Sequence, residues 1–139
     1  MKLEFIVLGE PTGKGRPRFT NVGGKTFART PEKTVVYENL IKLSYENQCG
    51  QYRFNDDDNI KLSIFAYFSI PKSMTKKKRK LVEEGILRPT KKPDWDNIGK
   101  IVSDSLNQIA YKDDAQVVSV NFEKFYGEKP YIKVILENI

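Results

Sequence analysis

The chain has 139 residues, no histidine, one cysteine and a formal net charge of +6, with 24 lysines and arginines against 18 aspartates and glutamates. That length holds one hydrophobic core, so a single domain over residues 1–139 is expected, and the lone Cys49 excludes an internal disulfide or a cysteine-rich metal site and suits a reducing cytosol. The basic balance favours a polyanionic partner, a class that includes nucleic acid, ribosomal and membrane-surface roles alike.

MKLEFIVLG is too short for a membrane span and lacks a signal-peptide cleavage pattern, and reads as the first strand. The glycine- and proline-rich stretch from Gly9 to Thr34 follows, a basic loop with a small hairpin expected around Gly23 and Gly24. A phosphate-binding P-loop does not fit, because G-x-x-x-x-G-K-[ST] would need glycine at position 14 and a hydroxyl after the lysine. Lys14, Arg16, Arg18, Lys25 and Arg29 are candidates for phosphate contacts, with Phe19 and Phe27 available for packing or stacking; the alternative is a solvated basic loop. Thr30-Pro31 reads as a cap and first-turn proline for a helix to about Gln48, with Val36, Leu40 and Leu43 as its core stripe. QYRFNDDDN is turn-like, and its Asp56, Asp57 and Asp58 lack any nearby lysine or cap architecture to organise a metal, so they read as solvated. IKLSIFAYFSI alternates as a strand.

Pro71 closes that strand. SMTKKKRKLVEEGI predicts a helix capped by Ser73 or Thr75 and ended at Gly85. Its Lys76, Lys77 and Lys78 sit where the helix dipole disfavours cations, a cost that points to use on phosphates; a solvated helix and a weak nuclear-localisation motif are the alternatives. ILRPTKKP adds Arg88, Lys91 and Lys92. Pro93 and Asp94 then start a helix whose Ile98, Val102, Ser105 and Ile109 share one face, flanked by Ile101 and Leu106, while Asp96, Lys100, Ser103 and Asn107 lie opposite. Asp94 fits an extended cap conformation that turns it toward Asp96. YKDD is a turn that sets Asp113 and Asp114 at the start of VVSVNFEKFY, and the last two strands, joined at Gly127 to Pro130, read as an antiparallel pair.

Carboxylates with one lysine and no histidine suit oxygen coordination of Mg²⁺ or Mn²⁺. A hard cation on Asp94, Asp96 and Asp114 could acidify a bound water and neutralise a phosphodiester, with Lys100 orienting that water or steadying the developing oxyanions. Ordinary capping, a helix ion pair and ordinary turn chemistry are the plain alternatives for the same residues. From the residues alone, the reading is a metal-dependent phosphodiesterase or a non-catalytic nucleic-acid-binding protein, in an α+β fold with a mixed sheet covered by helices.

DWDNIGK and YKDDAQVV resemble the D-x-D-N-x-x-K and D-D-(A/S)-Q-(I/V)-V signatures of RusA-type Holliday junction resolvases. The resemblance extends more loosely to GKGRPRF, TPEKT and PKSMTKKKRK. It implies a RusA-like domain, and a homodimeric Mg²⁺-dependent endonuclease of phage or prophage type, acting in the cytoplasm. Such an enzyme resolves four-way DNA junctions by paired symmetric nicks in recombination and repair; a related nuclease preferring other branched DNA is the variant reading. Carried onto matching positions, the family's metal-binding aspartates fall on Asp94, Asp96 and Asp114 and its catalytic lysine on Lys100. Trp95 stands where leucine is frequent, and Tyr111 lies in a region where other members carry a tryptophan, departures that bear on sequence preference.

Overall fold

In the computed structural model, which describes all residues 1–139, the strands are β1 (Lys2–Leu8), β2 (Arg18–Val22), β3 (Lys25–Arg29), β4 (Ile60–Ser69), β5 (Val117–Gly127) and β6 (Tyr131–Asn138). The helices are α1 (Glu32–Cys49), α2 (Lys76–Glu83) and α3 (Trp95–Ser105), and a 3-10 turn spans Asp114–Gln116. Four strands form one mixed sheet in the order β1-β6-β4-β5, with β4–β5 parallel and the other two pairs antiparallel. β2 and β3 make a separate hairpin turned by Gly23 and Gly24, both at positive φ, as a two-residue turn between right-twisted strands requires.

The position of β4 follows from its composition. Ile60, Leu62, Ile64, Ala66 and Phe68 alternate along it and are all buried, so the strand is most stable with neighbours on both sides. With Phe5 and Val7 of β1 and Ile132, Val134 and Leu136 of β6 they form the face on which α1 and α3 pack. The expected β5–β6 hairpin is therefore not formed: β4 lies between the two strands, and the Gly127–Pro130 link steps across its end. A short link between two alternating segments suggests a hairpin, but the more apolar β4 takes the central place that such a hairpin would close off.

The buried face of α1 also differs from expectation. Thr34, Tyr37, Ile41, Ser44 and Tyr45 face the core, whereas Val36 and Leu43 are 61% and 53% exposed and Leu40 lies at the margin. The helix is turned by one residue, about 100°, because its two tyrosines fill the core better than the aliphatic stripe. Tyr45 meets Phe5 edge to face at 5.5 Å and donates its hydroxyl to the Tyr52 carbonyl. Gln48 follows on this side and bonds both the N–H and the carbonyl of Ile6, occupying part of the free edge of β1. Thr30 is not the cap: Pro31 is, without a side-chain bond. α2 is capped by Thr75, which accepts from the Lys78 N–H at 3.3 Å, and buries none of its residues.

α3 is anchored through Ile98, Ile101, Val102 and Ser105, as its periodicity predicts, but it ends at Ser105, so the expected helical positions of Asn107 and Ile109 fall in the following turn, where Gln108 takes a φ of 65°. Beyond it the buried Tyr111 donates to the Ser103 carbonyl at 2.6 Å, tying the following turn back to the helix. No helix is long and apolar enough to cross a membrane.

Candidate functional site

Two elements aim the acidic residues. α3 buries its apolar stripe and so presents Asp96, Lys100 and Ser103 outward. The turn after it is built around Asp113, which caps Asp114–Gln116 by accepting from the Ala115 N–H, while Gln116 accepts from the backbone N–H groups of Lys112 and Asp113. The Gln116 amide also donates to the Asn55 and Asp58 carbonyls, and the Asn107 side chain accepts from the Asp114 N–H at 2.8 Å. Asp114 is fixed by these bonds at the mouth of β5. Asp96, Lys100, Ser103 and Asp114 line one cavity of about 320 Å³, floored by Leu62 and Val117 and walled by Trp95.

The electrostatics of that cavity are those of crowded anions. Burial, then the facing carboxyls of Asp113 and Asp104, pushes Asp114 up to about 6. Asp113 is correspondingly held below the usual carboxylate range, first by its hydrogen bond with Asp114 and then by the Ala115 N–H. A proton retained by Asp114 relieves a negative charge that a cation would relieve instead. The all-oxygen donor set suits Mg²⁺ or Mn²⁺. No three acidic side chains are gathered closely enough to enclose an ion by themselves.

Asp94 is set apart from this pair. It holds the extended cap conformation expected of it, φ −69° and ψ 154°, but its side chain makes no cap hydrogen bond. It borders a neighbouring concavity of about 810 Å³ together with the basic loop, and its charge favours the ammonium of Lys124, which desolvation otherwise pulls below the ordinary lysine value.

The basic loop is docked against both helices. Lys14 N–H donates to the Asn97 carbonyl at 3.1 Å and Gly15 N–H to the Thr34 hydroxyl at 2.9 Å. A Cβ on Gly13 would come within 2.9 Å of the Asn97 Cβ, so the close approach at 13 requires glycine. Arg16, Arg18 and Lys92 line the 810 Å³ concavity. Arg18 and Arg29 are directly paired across the hairpin and border a second concavity with Lys33, a like-charge pairing that an anion would relieve. Lys25 lies at the hairpin turn, away from the acidic cavity. Lys76, Lys77 and Lys78 are exposed on α2, and Lys78 shares a concavity with Arg88. Arg88 lies over the Phe125 ring at 4.4 Å and pairs with Glu123 at 3.3 Å, while the Lys91 carbonyl accepts from Lys124 at 2.6 Å.

Lys14 is ion-paired within the fold. Its ammonium is 2.7 Å from Asp104 and 3.7 Å from Glu38, and the bond to Asp104 holds it above the ordinary lysine value. Asp104 is not among the residues that the sequence motifs point to, although it lies four residues after Lys100 on the same helix. Lys14 and Asp104 together couple the basic loop to Asp114. Asp56, Asp57 and Asp58 form a turn in which Asp58 accepts from the Asn55 N–H at 2.9 Å and Asp56 lies 3.8 Å from Arg53, and none of the three lines the acidic cavity.

The family described as endodeoxyribonuclease RusA matches residues 9–137. The chain is also similar to a Bacillus subtilis (strain 168) protein described as uncharacterized protein YqaN, with 37% identity over 139 residues that cover 99% of this chain and 96% of that one.

Proposed function

Because this chain belongs to the endodeoxyribonuclease RusA family, we propose that it is a Mg²⁺-dependent enzyme that resolves four-way DNA junctions by paired symmetric nicks, as a cytoplasmic homodimer. The observation that carries this reading is the convergence of Asp96, Lys100 and Asp114 on one cavity. Asp96 and Asp114 would hold the cation, with Asp94 joining from the helix cap. When bound, the cation supplies charge neutralisation at the phosphodiester and a more acidic water.

The chain's own residues do the rest. Lys100, one helical turn from Asp96, donates to the non-bridging phosphate oxygens as negative charge develops on them. Asn107, accepting from the Asp114 N–H, holds Asp114 at the cavity, and Lys14 offsets the charge of the neighbouring Asp104. Arg16, Arg18 and Lys92 hold the strand on the side where Asp94 lies, and Arg29, Lys25, Arg88, Lys91 and the α2 lysines take flanking phosphates. Two symmetric cuts require two sites related by a two-fold axis, which a C2 dimer provides.

The test is to incubate the protein with end-labelled four-way junction and linear duplex, in Mg²⁺ and in EDTA. Paired symmetric nicks on the junction, in Mg²⁺ alone, support the proposal. Tight junction binding without nicking in any divalent metal makes the protein a non-catalytic binder, and nicking of flaps or forks in preference to the junction transfers the activity to other branched DNA.

A further inference from the structure

Trp95 is the only tryptophan of the chain and is 60% exposed. Nothing in the fold calls for an indole there. α3 is already anchored by the wholly buried Ile98, Ile101 and Val102, and Trp95 lies outside the core cluster. An aromatic ring of this size left in water is the costliest side chain to expose without use.

Its surroundings indicate what it meets. Trp95, Val120 and Phe122 form a shared wall between the cavity of Asp96, Lys100 and Asp114 and an adjoining concavity of about 680 Å³. Val120 and Phe122 are paired with Leu62 and Ile64 across the sheet, so they point to its helix-bearing face, where the edge strand β5 extends past α3. The wider concavity also carries Lys124, which strand alternation puts on the same face as Val120 and Phe122 and which donates to the Lys91 carbonyl, whereas Arg88 is held toward the opposite face by Glu123 and the Phe125 ring. An apolar, aromatic wall is thus shared by the cavity of Asp96, Lys100 and Asp114 and by a concavity that carries a cation. This is the alternation of base and phosphate along a single nucleic-acid strand.

We propose that Trp95 stacks on an unpaired nucleobase of the DNA strand whose phosphate enters the Asp96, Lys100 and Asp114 cavity, with Lys124 taking the next phosphate. The assignment of the entering phosphate rests on the nuclease reading; the stacking does not. A base inside a continuous duplex is already stacked on both faces, so an exposed indole selects bases freed at a branch point or in a single strand.

Because Trp95 is the sole indole, its emission reports on the site directly. In EDTA, the protein is titrated with oligothymidylate, with a four-way junction and with linear duplex, while binding is followed separately by anisotropy of a dye on the DNA. Saturable quenching by oligothymidylate and junction, and little by duplex, is the expected result. Trp95→Leu is expected to weaken oligothymidylate binding by about tenfold or more, with Trp95→Phe recovering most of it and duplex affinity unchanged in both. Saturable binding with unaltered emission, or Leu and Phe variants that bind oligothymidylate like the parent, overturns the proposal. So does an emission change that follows protein concentration without DNA, which makes the indole a protein contact. Nicking assays on the same preparation separate the two readings: nicking without quenching removes the stacking and leaves the nuclease, and quenching without nicking does the reverse.

Discussion

Asp114→Asn is expected to stabilise the metal-free protein while removing its response to metal. Asp114 titrates at about 6 against an ordinary value of 3.8. Ionising it in the folded chain therefore carries a penalty, reduced by the solvent that still reaches the carboxylate. Asp113, hydrogen-bonded to Asp114, shifts the opposite way, which offsets part of that penalty for the pair. The folded protein binds this proton more tightly than the unfolded chain does. Stability therefore falls as pH rises from about 4 to about 6, with the penalty fully present above that window and absent below it. Asparagine removes it, raising the melting temperature near neutrality and changing it little near pH 4. Saturating Mg²⁺ at about 100 times its Kd adds about 2.7 kcal/mol to the parent and far less to the variant, so the order of the two reverses. Thermal melts followed by circular dichroism, at both pH values and with and without Mg²⁺, measure all of this. A metal-free variant less stable than the parent at neutral pH, or an equal gain at both pH values, refutes the reasoning.

Asp94→Asn and Asp96→Asn should abolish nicking while junction binding, read by gel shift, stays equal or tightens because phosphate repulsion falls; Asn at Asp56, Asp57 or Asp58 should nick at the parental rate. Lys100→Met keeps the aliphatic stem and should lower single-turnover nicking by roughly 10²-fold with little change in affinity; an equal loss of both would make Lys100 a phosphate anchor. Alanine at Arg16 and Arg18 should weaken binding and flatten the slope of log affinity against log salt by up to about 0.9 for each phosphate no longer neutralised. Neutralising Lys76, Lys77 and Lys78 should add to that effect if α2 reaches DNA, and an unchanged slope would return α2 to plain surface.

What the sequence made legible was local. The face of α3, the extended conformation of Asp94, the Gly23-Gly24 turn and the Thr75 cap each depend on a few neighbouring residues, and each is present. What it hid depends on partners far along the chain. The β5–β6 pairing failed because the competitor, β4, lies elsewhere in the sequence. The Val36, Leu40 and Leu43 stripe expected of α1 is displaced by one residue, because the shape of the core against Phe5 selects the tyrosines. Lys14 read as one more loop cation because its partner, Asp104, is 90 residues away. The acidic candidates were legible as residue types, but their division into the Asp96 and Asp114 cavity and the Asp94 side needed the folded chain.

The proposed function requires a divalent metal between Asp96 and Asp114. Replacing Mg²⁺ with Fe²⁺ in the presence of ascorbate and peroxide generates hydroxyl radicals at the bound ion, and the resulting backbone breaks can be mapped by mass spectrometry. A metal held there predicts breaks in the first turns of α3 and around Asp113 and Asp114, suppressed by excess Mg²⁺ and absent in Asp114→Asn. Breaks centred on Asp56 to Asp58, or a pattern that excess Mg²⁺ leaves unchanged, would contradict it.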